Sequence, residues 1–359
     1  MADLLAVWWS WIAPATLQAT LLLAAAWTVD RASRRRAWPQ LLTTLWLVAL
    51  ARLVLPPTLA SPWSVTTAVG APTLSAVDAP DANPLALEPA AALWLAGVLV
   101  CLGARWRTRR ALTLRVIELD PREHGAWRTA LAQAAASMRV ARLPRLATLD
   151  GLATPAVCGW LRPILLVPHA ALERSPTVHD RNALLHELAH IRRRDLWLDE
   201  ACELLRAVFW FHPLVWLAVA RVRALGEVAC DATVARTLGR GVHGYRDTLL
   251  LAASDVLQLG APLGARPFAG RSSALLARLE HLEQLPRVPI AAVRTASSVL
   301  ALALFACVLP MAPASAALRA SARHVFDAQR SGERQSCFTL HAAALVLAAD
   351  DPATPEPRN

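Results

Sequence analysis

Residues 177–195 read Thr177-Val178-His179-Asp180-Arg181-Asn182-Ala183-Leu184-Leu185-His186-Glu187-Leu188-Ala189-His190-Ile191-Arg192-Arg193-Arg194-Asp195, and this stretch decides the fold. Thr177 with an acid three residues later, Asp180, is the pattern of a capped helix start. Along the helix that follows, His186 and His190 stand four apart and share one face, so both imidazoles can reach one metal ion. Glu187 is turned from His186 by about 100°. There it lies near the metal but off it, placed to take a proton from the attacking water and pass it to the leaving amine. Zinc in such a site supplies Lewis acidity. The five residues alone also occur on helices whose histidines are merely packed or solvated, so a third ligand has to be found.

Glu227 is the candidate, in Gly226-Glu227-Val228-Ala229-Cys230-Asp231. A helix from Asp199 to about Arg206, a turn, and a second helix from Leu214 to about Arg236 would return it antiparallel to the first. Asp231, four residues on, shares its face and suits a carboxylate that orients a ligand imidazole through its free N–H. A solvated Glu/Asp pair is the competing reading, although Val228, Ala229, Cys230 and Val234 favour burial. His212, before Pro213, reads as a turn or helix-start residue. Arg192, Arg193 and Arg194 read as a solvated or headgroup-facing collar, and Cys158 and Cys230 as buried free thiols.

Upstream, a helix is expected from Glu123 to Met138, with short strands at Arg145–Leu149, Thr154–Trp160 and Ile164–Val167. The segment Val157 to Val167 can take a peptide as an added strand, which makes Val157, Cys158, Gly159 and Trp160 candidate substrate contacts. Downstream, helices are expected from Tyr245 to Leu257 and from Ser272 to Leu285, with no assignable chemistry.

The rest of the chain belongs to a membrane. Apolar residues make up 55% of it and charged residues 18%, against roughly a quarter charged in soluble proteins. Many of its 14 tryptophans lie near the ends of apolar runs, where indoles favour the membrane interface. Four runs approach the ~20 residues needed to span: Leu4–Trp27, about Trp38–Pro57, about Ala90–Gly103, and about Thr295–Leu318. The first has an acidic flank, Asp3, and reads as a retained span. Arg52 sits near an end of the second, where it can snorkel.

All the positive charge is arginine, and it follows the spans. Arg31 to Arg36 follow the first and Arg105 to Arg110 the third, while no basic residue lies between Arg52 and Arg105. By the positive-inside rule, the loop 58–88 and both termini are outside and residues 105–294 are cytoplasmic. That distribution argues against direct nucleic-acid binding. The domains are therefore three spans with an extracytoplasmic loop (1–104), a cytoplasmic catalytic domain (105–294), a fourth span (295–318) and a short, Pro-rich tail (319–359). Residues 204–222 are interrupted by Arg206, His212 and Pro213, and read as a helix pair against the membrane surface or other spans.

These residues resemble the BlaR/MecR-type integral-membrane zinc metallopeptidases, a gluzincin-type, antirepressor-like family. The matches are His186 to Asp195, Phe209-Trp210-Phe211-His212-Pro213-Leu214-Val215-Trp216, and Glu227 to Asp231. A further match runs from Thr154 through Cys158-Gly159-Trp160 to Pro168. The likeness covers roughly 1–318. It implies a mainly α membrane protein with four transmembrane helices and a cytoplasmic α+β zincin-like domain, in a bacterial inner membrane. It also implies one Zn2+ per chain on His186, His190 and Glu227, with Glu187 catalytic. The β-lactam sensors of the family carry a penicillin-binding domain after the last span. Here the sequence after Leu318 is too short for one, and a chain without lysine has no Ser-x-x-Lys acylation site. The expected function is a regulatory endopeptidase cleaving a cytoplasmic protein, plausibly a winged-helix repressor, and itself as a second target. Partners are then that substrate, the bilayer and a second copy in a homodimer. A housekeeping membrane protease and a non-catalytic transducer with a structural zinc are the alternatives. The base Glu187 argues against the last, since a structural site is closed and needs none.

Overall fold

A computed structural model describes residues 2–33, 39–55, 84–120, 123–259, 272–283 and 295–300. The loop 58–83, nearly all of the expected fourth span and the tail lie outside these residues. The contacts divide the chain into two units, one of residues 1–26, 48–92 and 298–359, the other of 27–47 and 93–297.

In the first unit, α1 (Ala2–Ser33) buries Ile12, Ala15, Ala19 and Leu23 at three- and four-residue spacing, and Leu50 at the end of α2 (Pro39–Ala51) and Leu53 in the turn after it are buried too. Arg52 does not snorkel as the sequence led us to expect. It is buried, with its guanidinium on the Gln18 side chain and, at 2.9 Å, the Leu55 carbonyl. A charge inside an apolar helix pair is held by such partners rather than by reach to water.

The third apolar run is part of α3 (Pro84–Arg115). Among the described residues, the segment Glu88–Arg115 is the one helix long and apolar enough to cross a membrane; Pro39–Ala51 is apolar but shorter. Four spans are therefore an expectation that the described residues do not establish. Within the second unit, α3 leaves Leu93, Leu95, Leu99 and Val100 exposed.

That unit is built on a four-stranded sheet of order β1-β2-β4-β3, from β1 (Ile117–Glu118), β2 (Arg145–Leu149), β3 (Ala156–Cys158) and β4 (Ile164–Pro168). β2 and β4 are parallel, and β1 and β3 flank them antiparallel. The two central strands are buried on both faces. Leu146, Leu165 and Val167 enter the main core with Trp127, Met138, Leu184, Leu188 and Val234. Ala147, Leu149 and Leu166 form a second core with Leu112 of α3 and Val116 just after it. Covering on both sides explains why these strands read as continuous apolar runs.

The helices follow as α4 (Gly125–Met138), the short α5 (His169–Leu172), α6 (Val178–Arg193), α7 (Asp195–Val208), α8 (Pro213–Leu238), α9 (Val242–Leu259) and α10 (Ser272–Glu283). α6 starts with the expected capping box, Thr177 and Asp180 exchanging side-chain and backbone bonds. It ends where Arg194 turns left-handed at φ 62°. α7 then starts at once, earlier than the sequence suggested. Residues 204–222 are a helix–turn–helix and not one continuous helix. His212 is the N-cap residue of α8 ahead of Pro213, a position that suits proline's missing N–H.

Candidate metal centre

α6, α8, α9 and α10 converge on one point. His186 Nε2 lies 3.3 Å from Glu227 Oε2, and His190 Nε2 lies 3.6 Å from Glu227 Oε1. The two rings stand edge to face with centroids 4.9 Å apart. Four-residue spacing on α6 sets the first pair, and the antiparallel return through the α7–α8 turn brings Glu227 to both.

The donor set fits a zinc ion. Bonds of about 2.0–2.2 Å in a tetrahedral shell separate neighbouring donors by roughly 3.3–3.6 Å; the two His–Glu227 distances match this, and all three donors lie within 4.8 Å of one another. Each ring also has its other nitrogen engaged. His186 Nδ1 meets Tyr245 Oη at 2.8 Å and Asp231 Oδ1 at 3.2 Å. His190 Nδ1 meets Asp195 Oδ2 at 3.0 Å. Both Nε2 atoms are thus directed at Glu227, the arrangement that ligating histidines need.

The electrostatics describe a pocket that attracts cations. Burial would lower the His186 imidazole, but Asp231 and Glu227 raise it to about 9. His190 is raised likewise, against burial, chiefly by Asp195 and Glu227. Burial pushes the Glu227 carboxyl up, yet the His186 hydrogen bond and the charges of His190 and Arg278 bring it down to about 2. Burial holds Glu187 above the usual carboxylate range. Where carboxylates hold two imidazoles so strongly toward the cationic state, a divalent cation has the same attraction.

Asp231 orients His186 as the spacing predicted. Three residues that sequence reasoning missed complete the shell. Tyr245 donates to Asp231 Oδ1 at 2.6 Å, and Arg278 grips Asp231 through two bonds of 2.6 and 2.7 Å while lying 3.4 Å from Glu227. The region read as carrying no chemistry, residues 241–285, thus supplies a phenol and a guanidinium. Asp195 was quoted without a role; it also accepts from Arg193 Nε at 3.1 Å and from the Cys230 thiol at 3.2 Å. Arg193 therefore turns inward, leaving Arg192 and Arg194 exposed as expected of a collar. The sequence signal for Asp195 was an acid five residues after His190. Tyr245 and Arg278 gave none, because their roles depend on how α9 and α10 fold back.

Glu187 points to the edge of the sheet, where its Oε2 accepts the Val157 N–H at 2.8 Å. Both line a groove of about 910 Å³ with Cys158, Gly159, Trp160, His190 and Glu227. Gly159 needs to be glycine: φ is +83°, and a Cβ would stand 3.0 Å from the Arg162 carbonyl. Trp160 packs edge-on to Trp197 at 4.5 Å. Burial raises the Cys158 thiol to about 11, keeping it a neutral lining group.

Two histidines and a glutamate from two helices, with a carboxylate beside them at the rim of a groove, form a group able to hold a metal ion. The family model described as BlaR1 peptidase M56 matches residues 11–282, and the chain belongs to that family. It is similar to the Regulatory protein BlaR1 of Bacillus licheniformis, 30% identical over 117 residues, 32% of this chain and 19% of that protein. It is also similar to the Methicillin resistance mecR1 protein of Staphylococcus aureus, 23% identical over 136 residues, 38% of this chain and 23% of that protein. The matched stretch thus spans about a fifth of these relatives' length.

Proposed function

We propose that this chain is a membrane-embedded zinc endopeptidase that cleaves a cytoplasmic protein, and itself as a second target, in signal transduction. The observation that carries the reading is that Glu187 accepts the Val157 N–H on the outer edge of β3 while lining one groove with His190 and Glu227. His186, His190 and Glu227 would hold the ion, one per chain. Zinc, when bound, supplies Lewis acidity toward water and the scissile carbonyl. Glu187 takes the proton from the attacking water and delivers it to the leaving nitrogen. Asp231 and Asp195 keep the imidazoles directed inward. A substrate in extended form lies along Val157, Cys158, Gly159 and Trp160, with β3 as its pairing edge.

The similarity to proteins named for regulation and for methicillin resistance supports a regulatory role, with a winged-helix repressor as the substrate class. The charge bias supports an inner-membrane protein with both termini outside and the protease unit facing the cytoplasm. A homodimer remains part of the proposal. Housekeeping proteolysis is the second reading.

The test uses the purified full chain against a proteome-derived peptide library, with cleavage read by mass spectrometry. Glu187→Gln should keep stoichiometric zinc and lose cleavage, and Glu227→Ala should lose zinc. Wild-type cleavage by Glu187→Gln would sink the protease reading. Unchanged zinc in Glu227→Ala would remove that residue from the ligand set.

A further inference from the structure

We infer that the α7–α8 hairpin is re-entrant, its tip entering the hydrocarbon beside α3 with acyl chains covering its outer face. The inference rests on reading α3 as a membrane span. From Ala207 to Ala220 the chain carries no Asp, Glu, Lys or Arg, and Arg206 and Arg221 bound this stretch on either side. On α3, the last charge-free turns end at Arg105 in the same way.

Two ion pairs give the level of the interface. Arg105 pairs with Glu203 of α7 at 3.3 Å. Arg221 of α8 pairs with Asp30, just ahead of the arginines that follow the first apolar run, at 2.5 and 3.0 Å. From Arg105 along α3 to Gly97, and from Arg221 along α8 to Pro213, the path is eight residues, about 12 Å at the helical rise. The two paths end together: the Trp210 ring lies against Gly97 so closely that a Cβ there would overlap it. The tip therefore sits up to about 12 Å below the charged level, the full value holding for helices along the membrane normal, and within a hydrocarbon core of about 30 Å.

The turn is finished as a lipid environment requires. Trp94 donates to the Val208 carbonyl at 2.9 Å, Trp216 to the Trp210 carbonyl at 3.0 Å, and Trp210 to the Trp94 carbonyl at 3.2 Å. In water these carbonyls would need no indole donors; in hydrocarbon every backbone polar group must be met from within. His212, the one ionisable side chain of the tip, is buried, while Phe211, Trp216 and Leu217 are 41–43% exposed. Above the tip, Arg206 and Glu203 pair with each other at 3.0 Å, and Arg223 pairs with Glu203 too. Charges at this depth persist when so paired.

The consequence is a substrate class. Glu227 lies six residues beyond Arg221, about 9 Å on the aqueous side of the same level. The α3 wall of the groove includes Arg105 and Arg109. The centre then works at the bilayer surface on polypeptide segments held close to the membrane.

The experiment installs p-benzoylphenylalanine at Phe211 or Leu217 of the full chain, in phosphatidylethanolamine/phosphatidylglycerol vesicles. Leu99 on α3 and Leu143, exposed on the loop before β2, serve as comparison positions. After irradiation, Phe211 and Leu217 should gain the mass of one phospholipid at a yield matching Leu99, and Leu143 should not. Two positions are used so that one poorly assembled variant does not decide the matter. If Leu99 labels and both tip positions stay silent, the hairpin is aqueous and the inference fails. An adduct to a second copy of the chain in place of lipid assigns the surface to a protein interface, and the inference fails. Silence at Leu99 overturns the span reading and this inference with it.

Discussion

Arg278 is the residue through which α10 reaches the candidate metal site, on Asp231 and Glu227, so its removal should be felt in stability before chemistry. Both partners are almost wholly inside: Arg278 is 4% exposed and Asp231 1%. Arg278→Met keeps most of the apolar stem and deletes two charge-assisted bonds to Asp231, each worth roughly 1.5–3 kcal/mol. It also leaves a buried carboxylate against only His186 and Tyr245. Breaking one side of a buried ion pair typically costs about 3–5 kcal/mol. For a unit of this size that lowers the melting temperature by roughly 6–20 °C. The assay is thermal unfolding of the zinc-loaded chain in detergent, run as a cycle with Asp231→Asn and the double variant. The double variant should recover part of the loss, with an interaction of about 1–3 kcal/mol, because it no longer buries an uncompensated charge. Arg278→Lys should rescue incompletely, since an ammonium cannot grip both carboxylate oxygens as the guanidinium does. A loss below about 1 kcal/mol for Arg278→Met, or a double variant that loses the plain sum, would refute the reasoning.

Asp195→Asn should weaken zinc binding by about 10–100-fold in a competitive chelator titration, the usual cost of disturbing a carboxylate behind a ligating histidine. Unchanged affinity would mean that Asp195 serves Arg193 and Cys230 and not the metal. Gly97→Ala should destabilise the second unit by about 1–3 kcal/mol, as the Trp210 indole is held in place by its bond to Trp94. Gly103→Ala, which meets nothing within 4 Å, is the matched control and should be neutral to slightly stabilising, since alanine is the better helix former. Burial alone would raise the Asp180 carboxyl, but bonds from Arg174 and Thr177 hold it below its ordinary value. A carboxylate so depressed contributes stability above its unfolded value, near pH 4, and that contribution is lost as pH falls through the folded value. Asp180→Asn should therefore cost about 1 kcal/mol near neutrality and flatten the acid limb of a stability–pH curve. A parallel curve would remove Asp180 from it.

Local rules carried the sequence reading where structure is local. The capping box at Thr177 and Asp180, the three strands, and the pairing of His186 with His190 each depend on residues a few positions apart. Glu227 was reachable because a hairpin of two helices has few ways to return. Asp231 followed from the helical repeat. Tyr245 and Arg278 were not reachable, because nothing in α9 or α10 records that they face the metal-bearing helix. Arg52 was misread for a related reason: an arginine near the end of an apolar run looks the same whether it snorkels or meets a buried Gln18. The left-handed Arg194 also hid how soon α7 begins, since only its backbone, not its residue type, marks the stop.

The two imidazoles are held by unlike surroundings, and the difference follows the fold. His186 rests on Asp231, Tyr245 and Arg278, all inside the core where α6, α8, α9 and α10 meet, and its side chain is 1% exposed. His190 rests on Asp195, at the start of α7, with both side chains about one-seventh exposed and close to the groove. Moving His186 requires four helices to shift together. Moving His190 disturbs the α6–α7 junction and the Cys230 thiol of α8, which lies 3.3 Å from His190 Nδ1 and 3.2 Å from Asp195, beside a groove wall that includes Glu200 and Glu203. The two imidazoles are therefore held to different degrees, His186 by buried groups on three other helices and His190 by partly exposed contacts beside the groove.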